Sequence, residues 1–104
     1  MNYKEISQYL KVIADSSRLE ILDLLSCGEL CACDLLEHFS FSQPTLSHHM
    51  KVLKDNNLIT SRKDGNKVLY KLNHDVLDDV TSRLTLLSSS TAPCIGETVE
   101  KGEC

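Results

Sequence analysis

Apolar residues recur at intervals of three and four positions through the first part of the chain, which is the spacing of a helix with one buried face. The first such stripe consists of Tyr3, Ile6, Leu10 and Ile13. Farther along, Ser17 and Glu20 have the spacing of a capping box in front of a leucine-rich segment. We therefore predict a first helix over the stripe and a second helix that begins at Ser17, runs to about Ser26 and ends at Gly28.

Two further stripes of helical spacing follow, and only a few residues separate them. The first stripe is Ala32, Leu35, Leu36 and Phe39, and the second is Leu46, Met50 and Leu53. Ser42 is a favourable N-cap for the second of these helices, and Pro44 lies in the first turn of that helix. Asn56 and Asn57 suit its end. Two short helices joined by a tight turn at residues 40–42 predict a helix-turn-helix motif.

After Leu58 the pattern changes from helical spacing to alternation, which is typical of strands. Residues 59–62 and 68–72 alternate in this way, and the dipeptide Asp64-Gly65 between them favours a tight reversal of the chain. The sequence therefore predicts a β-hairpin with a basic tip.

A last stripe of helical spacing predicts a fifth helix. It consists of Leu77, Val80, Leu84 and Leu87. Four helices, a hairpin and a fifth helix make a winged helix-turn-helix, so we predict a mainly α domain with a β-hairpin wing over residues 1–87. Residues 88–104 are rich in Ser, Thr, Gly and acidic groups, and we expect them to form a flexible tail that contains two cysteines.

The first and last helices carry more apolar surface than a domain of this size can bury internally. We therefore expect them to pair across the two-fold axis of a homodimer. The residues expected at this interface are Ile6, Leu10, Ile13, Leu77, Val80, Leu84 and Leu87.

The 104-residue chain has a net charge of −4, but the charge is unevenly distributed. Residues 1–39 and 73–104 each have a net charge of −4, whereas residues 40–72 have a net charge of +4. A local basic region of this kind is typical of a surface that meets phosphates. The apolar runs are short, so we expect neither a signal peptide nor a membrane partner, and we expect a cytoplasmic protein.

The second helix of the predicted helix-turn-helix motif has a polar outward face, because His48 and Lys51 lie opposite Leu46 on a helical wheel. Polar side chains there can reach base edges in a major groove, and the basic hairpin suits phosphates. The expected contacts to double-stranded operator DNA are Ser42, Gln43, Thr45, Ser47, His48, His49, Lys51, Arg62, Lys63 and Lys67. His49 has a second interpretation, because it lies close enough to the apolar face to be a packed, hydrogen-bonded histidine.

Three segments carry a family resemblance: residues 42–53, the hairpin residues 62–67, and the sequence Glu-Leu-Cys-Ala-Cys-Asp-Leu at residues 29–35. Together they resemble the arsenic-repressor (ArsR/SmtB) family, over residue 1 to about residue 87, and the cysteine-containing segment is the most specific of the three. The resemblance implies a dimeric repressor that binds its own promoter, controls a detoxification operon and is released when trivalent arsenic or antimony binds.

The cysteines are the expected ligands of that inducer. Five cysteines, an odd number, suit a reduced compartment, and thiolates bind soft ions. We expect Cys31 and Cys33, at the start of the predicted third helix, to bind As(III) or Sb(III). In a regular helix their side chains point about 200° apart, whereas in an extended segment they share one side. We therefore predict that ligand binding stabilises a non-helical start to the third helix. The distorted third helix then misplaces the second helix of the helix-turn-helix motif, which we call the reading helix.

The third ligand is left open by the sequence. Some members of the family have another cysteine three residues after the second, where this chain has Leu36. Candidates are Cys94, Cys104 and Cys27, or two thiols suffice together with a water or hydroxide. The acidic start of the fifth helix is a poor zinc site, because no second histidine follows the one there and carboxylates in the first turn of a helix are ordinary complements of its dipole. The residues concerned are His74, Asp75, Asp78 and Asp79.

Two alternatives compete with the arsenic-responsive repressor. A thiol enzyme fits poorly, because the sequence has no Cys-x-x-Cys motif and no glycine-rich phosphate loop. We therefore expect no enzymatic activity and no organic cofactor. The other alternative keeps the same DNA-binding fold and has Cys31 and Cys33 sense Cd(II), Zn(II) or thiol oxidation instead of arsenite.

Overall fold

The computed structural model describes residues 1–88, which contain five α-helices and one three-stranded antiparallel sheet. The helices are α1 (Tyr3–Ile13), α2 (Ser16–Leu25), α3 (Ala32–His38), α4 (Gln43–Asp55) and α5 (His74–Ser88). The strands are β1 (Leu30–Cys31), β2 (Ile59–Asp64) and β3 (Lys67–Leu72). The predicted order of elements is confirmed, with β1 as an addition. The expected flexible tail lies outside the described residues, apart from Ser88. Among residues 1–88, no helix combines the length and the apolar character that are needed to cross a bilayer.

The start of α2 differs from the prediction, because its N-cap is Asp15 and not Ser17. The Asp15 Oδ2 accepts a hydrogen bond from the backbone N–H of Arg18 at 3.0 Å. This hydrogen bond is the main reason why the pKa of the Asp15 carboxyl lies below its ordinary value. The end of the helix is as predicted, since Gly28 follows it with a φ of 139°, a conformation that side-chain-bearing residues rarely adopt.

The sheet has the strand order β1-β3-β2. The strands β2 and β3 form the predicted hairpin, in which Asp64 pairs with Lys67 around a two-residue loop. Gly65 occupies the first loop position with a φ of 63°, in the left-handed region that favours glycine. The other edge of β3 pairs with β1, so the segment before α3 belongs to the same sheet as the hairpin.

The core is built from the stripes that the sequence shows. Its buried cluster consists of Ile21, Leu22, Leu25, Leu35, Leu46, Met50, Leu53, Leu58, Ile59 and Leu72. Each fully buried side chain of this kind contributes roughly 1.5–3 kcal/mol relative to an exposed one. Helices α2, α3 and α4 and the sheet all contribute side chains to this cluster. The cluster therefore holds α4, the second helix of the predicted helix-turn-helix motif, against the rest of the domain.

Val80 differs from the other residues that were predicted at a dimer interface. Its side chain is only 1% exposed within a single chain, so it is a core residue that cannot meet a partner. Leu84 and Leu87, on the same stripe, are 37% and 81% exposed. The spacing of the stripe correctly predicts that these side chains share one face of the helix. The extent to which each is buried depends on tertiary packing.

Candidate DNA-binding surface and thiol site

Helix α4 presents a polar face to solvent and an apolar face to the core. Leu46, Met50 and Leu53 are buried, as predicted. The exposed residues on α4 and at its N-cap are Ser42, Gln43, Thr45, Ser47, His48 and Lys51. These side chains carry small hydroxyls, an amide, an imidazole and an ammonium group, and they are held on a helix whose opposite face is anchored in the core. Such a helix has the size and chemistry to read a major groove.

The turn between α3 and α4 is packed by aromatic side chains. The rings of Phe39 and Phe41 stack with their centroids 4.5 Å apart and their planes inclined by 15°. Phe41 in turn lies 5.7 Å from the imidazole of His49, measured between ring centroids. The stack connects the end of α3 to the middle of α4 through aromatic contacts.

His49 is half-buried, in contrast to its exposed neighbour His48. A guanidinium nitrogen of Arg18 lies 3.4 Å from the His49 Nδ1, and the Arg18 Nε donates to the carbonyl oxygen of Val12 at 2.7 Å. This geometry favours the packed role of His49. Arg18 connects the end of α1 with α4, and sequence reasoning missed it, because its histidine partner lies 31 positions away along the chain.

The cations of the basic region are in two different situations. Lys63 and Lys67 are exposed near the tip of the hairpin, and neither forms an ion pair with any residue of the described range 1–88. Lys51 pairs with Asp55 one helical turn away, with 2.9 Å between its Nζ and the Asp55 Oδ2. An exposed pair of this kind is worth little, so a phosphate can replace Asp55 as the partner of Lys51.

Arg62 is held by a carboxylate of its own chain. Its Nε donates to the Glu29 Oε2 at 2.9 Å, and a terminal guanidinium nitrogen donates to the Glu29 Oε1 at 3.0 Å. The two hydrogen bonds raise the pKa of Arg62 and lower the pKa of Glu29. Sequence reasoning missed this bidentate pair, since the two residues are 33 positions apart.

The cysteines that were predicted at the start of the third helix occupy two kinds of backbone. Cys31 is in β1, has an extended φ and ψ of −85° and 164°, and is 6% exposed. Cys33 is exposed in the first turn of α3. Both cysteines therefore lie at the start of α3, as predicted, and the pairing of β1 with β3 holds Cys31 extended as the N-cap of this helix.

Asp34 connects Cys31 to α3. One carboxylate oxygen, Oδ2, accepts hydrogen bonds from both the backbone N–H and the Sγ–H of Cys31, each at 3.1 Å. The thiol hydrogen bond is the largest of the causes that hold the pKa of Asp34 below its ordinary value. The N-terminus of α3 is thus fixed through the same thiol that the sequence assigns to the inducer.

The donor set fits a soft, thiol-seeking ligand. Cys31 and Cys33 are free thiols, and thiolates select soft ions. Within residues 1–88 no three side chains of His, Cys, Asp or Glu are grouped as a metal site. Cys27 is exposed in the turn after α2, and Cys94 and Cys104 lie outside the described residues. At the start of α5 the residues that were considered for zinc are all exposed, and Asp79 faces Arg83 at 3.8 Å.

An apolar groove runs between α1, α2 and α5. It is lined by Leu10, Ile13, Leu19, Leu77 and Leu84, among others. No residue of α1 is buried, although this helix is apolar along one side. Leu19 of α2 is 55% exposed at the edge of the groove. Most of the predicted dimer residues therefore lie on one accessible apolar surface.

A helix-turn-helix with an exposed polar reading helix, followed by a basic hairpin that packs on the same core, defines the winged helix-turn-helix class of DNA-binding regulators. The sequence model described as "Bacterial regulatory protein, arsR family" matches residues 15–61. Together with full-length relatives of high identity, this match shows that the chain belongs to the arsR family of bacterial regulatory proteins.

The relatives span the whole chain. A protein of Staphylococcus aureus named "Arsenical resistance operon repressor" is 64% identical over 104 residues, which is all of both chains. A protein of Staphylococcus xylosus with the same name is 62% identical over the same extent. Among solved structures, a possible transcriptional regulator for arsenical resistance matches with a TM-score of 0.70 and 30% identity, over 79% of this chain and 85% of that one.

Proposed function

We propose that this protein is a transcriptional repressor of an arsenical-resistance operon, which binds operator DNA as a homodimer and dissociates when As(III) or Sb(III) binds to Cys31 and Cys33. The observation that carries the proposal is the position of these two thiols at the junction of β1 and α3, where the first helix of the helix-turn-helix motif begins. The names of the full-length relatives support the same function. Repression is a binding function and needs no catalytic residue, and a bacterial regulator that binds DNA acts in the cytoplasm.

The DNA contacts divide into two groups. Gln43, Thr45, Ser47 and His48 of α4 read base edges, and Ser42 at the N-cap positions the helix on the duplex. Lys63 and Lys67 of the wing, with Lys51, bind phosphates. His49 supports α4 from within, through Phe41 and Arg18.

The homodimer is formed by the apolar surface of α1 and α5. In a single chain, Leu84, Leu87 and the groove beside α1 expose apolar surface to water. This exposure is unfavourable, and pairing of two chains removes it. A dimer places two reading helices about 34 Å apart or at a multiple of that distance, which is the spacing of successive major grooves. The core residue Val80 has no part in this interface.

Release follows from the burial of Cys31. A ligand that bonds to a thiol of 6% exposure must first open the junction of β1 and α3, and it also removes the hydrogen bond from Cys31 to Asp34. The inducer therefore binds the opened form more tightly than the closed form. Because α3 supports α4 through Phe39 and Phe41, opening weakens DNA binding by the same factor by which DNA weakens inducer binding. The third ligand is a further thiol, from Cys27, Cys94 or Cys104, or a water.

The test is fluorescence anisotropy of the reduced protein on labelled DNA from upstream of its own gene. Arsenite should release the DNA, whereas cadmium and zinc should not. Release by cadmium in place of arsenite, or release by an oxidant that dithiothreitol reverses, would replace arsenite by one of the alternative signals. Absence of DNA binding in every condition would refute the repressor function itself.

A further inference from the structure

The segment that carries the thiols is joined to the wing through the sheet. Leu30 and Cys31 pair with Tyr70 and Leu69 of β3. Leu69 pairs on its other side with Arg62 of β2. Cys31, Leu69 and Arg62 therefore lie in one row across the three strands. Only Leu69 of β3 separates Cys31 from the strand position of Arg62.

A second connection between the thiol segment and β2 is an ion pair of side chains. Glu29, the residue before β1, holds the guanidinium of Arg62 by two hydrogen bonds of 2.9 and 3.0 Å. A bidentate pair of this geometry fixes orientation as well as distance. The Arg62 side chain is 56% exposed and the Glu29 side chain 32%, so solvent reaches the pair, which adds little to stability and acts mainly by fixing geometry.

The neighbours of Arg62 on the wing are in a different situation. Lys63, the next residue along β2, is exposed and forms no ion pair with any residue between 1 and 88. Of these two adjacent cations, Lys63 is available to a phosphate, whereas Arg62 has its guanidinium engaged with Glu29 on the segment that contains Cys31.

We propose that Arg62 is a positioning residue and not a DNA contact, and that the Glu29–Arg62 pair and the β1–β3 pairing transmit the state of the Cys31 segment to the wing. This inference rests on the proposed function and deepens it, because inducer binding then moves two DNA-binding elements. Opening of the β1–α3 junction displaces α4 through the phenylalanine stack, and it displaces the wing through Glu29 and the strand pairing.

The first test separates a phosphate contact from a positioning role, and it needs no inducer. The dissociation constant for operator DNA is measured over a range of salt concentrations for the wild type, Lys63→Gln and Arg62→Gln. Removal of one cation that binds a phosphate lowers the slope of log K against log salt by about 1. We expect this decrease for Lys63→Gln and the wild-type slope for Arg62→Gln. An equal decrease of slope in both variants would overturn the positioning role.

The second test measures the coupling, as the ratio of DNA dissociation constants with and without saturating arsenite. Typical couplings of this kind are about 5- to 150-fold. We expect Glu29→Gln and Arg62→Gln each to lower the wild-type ratio by about two- to fivefold, the range of a single solvent-exposed ion pair. The exchanged pair, Glu29→Arg with Arg62→Glu, should restore it, which a general loss of stability would not do.

Glu37→Gln is the matched control, because Glu37 is an exposed carboxylate of α3 with the same charge and no ion pair among the described residues. It should leave the ratio at the wild-type value. A wild-type ratio in Glu29→Gln would refute the coupling while leaving the repressor intact. If arsenite fails to release the wild-type protein from DNA, both the proposed function and the arsenite coupling are refuted. The salt slopes of the first test still decide the role of Arg62 in that case.

Discussion

The sulfur of Cys31 lies 3.1 Å from the Oδ2 of Asp34, and the same oxygen also accepts the backbone N–H of Cys31. A sulfur can donate this hydrogen bond only as a thiol. A bond from the Cys31 sulfur to a ligand therefore replaces this hydrogen bond, and in the proposed mechanism inducer binding begins with that exchange.

Serine in place of either cysteine should separate sensing from DNA binding. In Cys31→Ser the hydroxyl keeps a donor for Asp34, and Cys33→Ser changes an exposed side chain, so both variants should fold and bind operator DNA like the wild type. Neither should release DNA with arsenite, because each has one soft ligand fewer. Anisotropy titrations with and without arsenite measure both properties.

The control for these variants is Cys27→Ser, which changes another exposed cysteine of the described range. It should respond to arsenite like the wild type if the third ligand lies elsewhere. If Cys31→Ser and Cys33→Ser lose DNA affinity as severely as they lose the arsenite response, the two cysteines are structural and the sensor assignment is wrong.

Lys63→Ala should weaken binding to all DNA sequences and flatten the salt dependence. The Lys63 side chain is exposed and unpaired among residues 1–88, so it can displace counterions from a phosphate. The slope of log K against log salt should change by about 1, the value for a single phosphate neutralised by the protein. Lys4→Ala, which changes an exposed lysine of α1, is the control and should keep the wild-type slope. An unchanged slope in Lys63→Ala would remove the wing from the DNA interface.

Val80 and Leu87 share a stripe on α5 and should respond to substitution in opposite ways. Val80→Ala should lower the free energy of unfolding by about 2 kcal/mol, since it removes buried methyl groups and leaves a cavity. Leu87→Asp should leave the fold of each chain intact and dissociate the dimer, because this side chain is 81% exposed in a single chain. Thermal unfolding and sedimentation equilibrium distinguish the two effects. A dimeric Leu87→Asp variant would place the interface elsewhere.

Asp15→Ala should destabilise the domain by about 1 kcal/mol at neutral pH, the usual value of a helix N-cap. The backbone N–H of Arg18 lowers the pKa of Asp15 from its ordinary value of 3.8, so the charged form is favoured in the folded state. The stabilisation from this charge is fully present above that ordinary pKa and is lost as the pH falls through the lower, folded-state pKa.

Asp15→Asn separates the cap from the charge, because asparagine also caps helices but does not titrate. Urea unfolding at pH 7 and at about pH 3 should show the wild type losing stability relative to Asp15→Asn as the pH falls. A constant difference between the two proteins across this range would show that the charge of Asp15 contributes nothing beyond its hydrogen bond.

The sequence was sufficient for elements whose signal is local and repeated. The stripe Leu46, Met50 and Leu53 predicted both the existence of α4 and the face that it buries. The glycine at position 28 predicted the end of α2, because its φ of 139° is a conformation that few other residues tolerate. These features depend on neighbours within one or two helical turns, so periodicity and capping preferences capture them.

The remaining features depend on distant partners. Strand β1 is two residues long and cannot show a period, so only its pairing with β3 reveals it. The choice of Asp15 over Ser17 as the N-cap was ambiguous, because both residue types cap helices equally well. The bond of Glu29 to Arg62 spans 33 positions, and nothing in either local sequence indicates it. The site is thus recognisable from its cysteines, while its connection to the wing requires the fold.

The short strand β1 also determines how the proposed thiol site can be transplanted into another protein. Since its backbone hydrogen bonds go to β3, and the residue before it holds an arginine of β2, the cysteine segment is not a self-contained cassette. A chimaeric biosensor that receives residues 29–35 alone gains the ligands but not the mechanical linkage to its DNA-binding parts. The unit to transplant is the segment together with the entire hairpin.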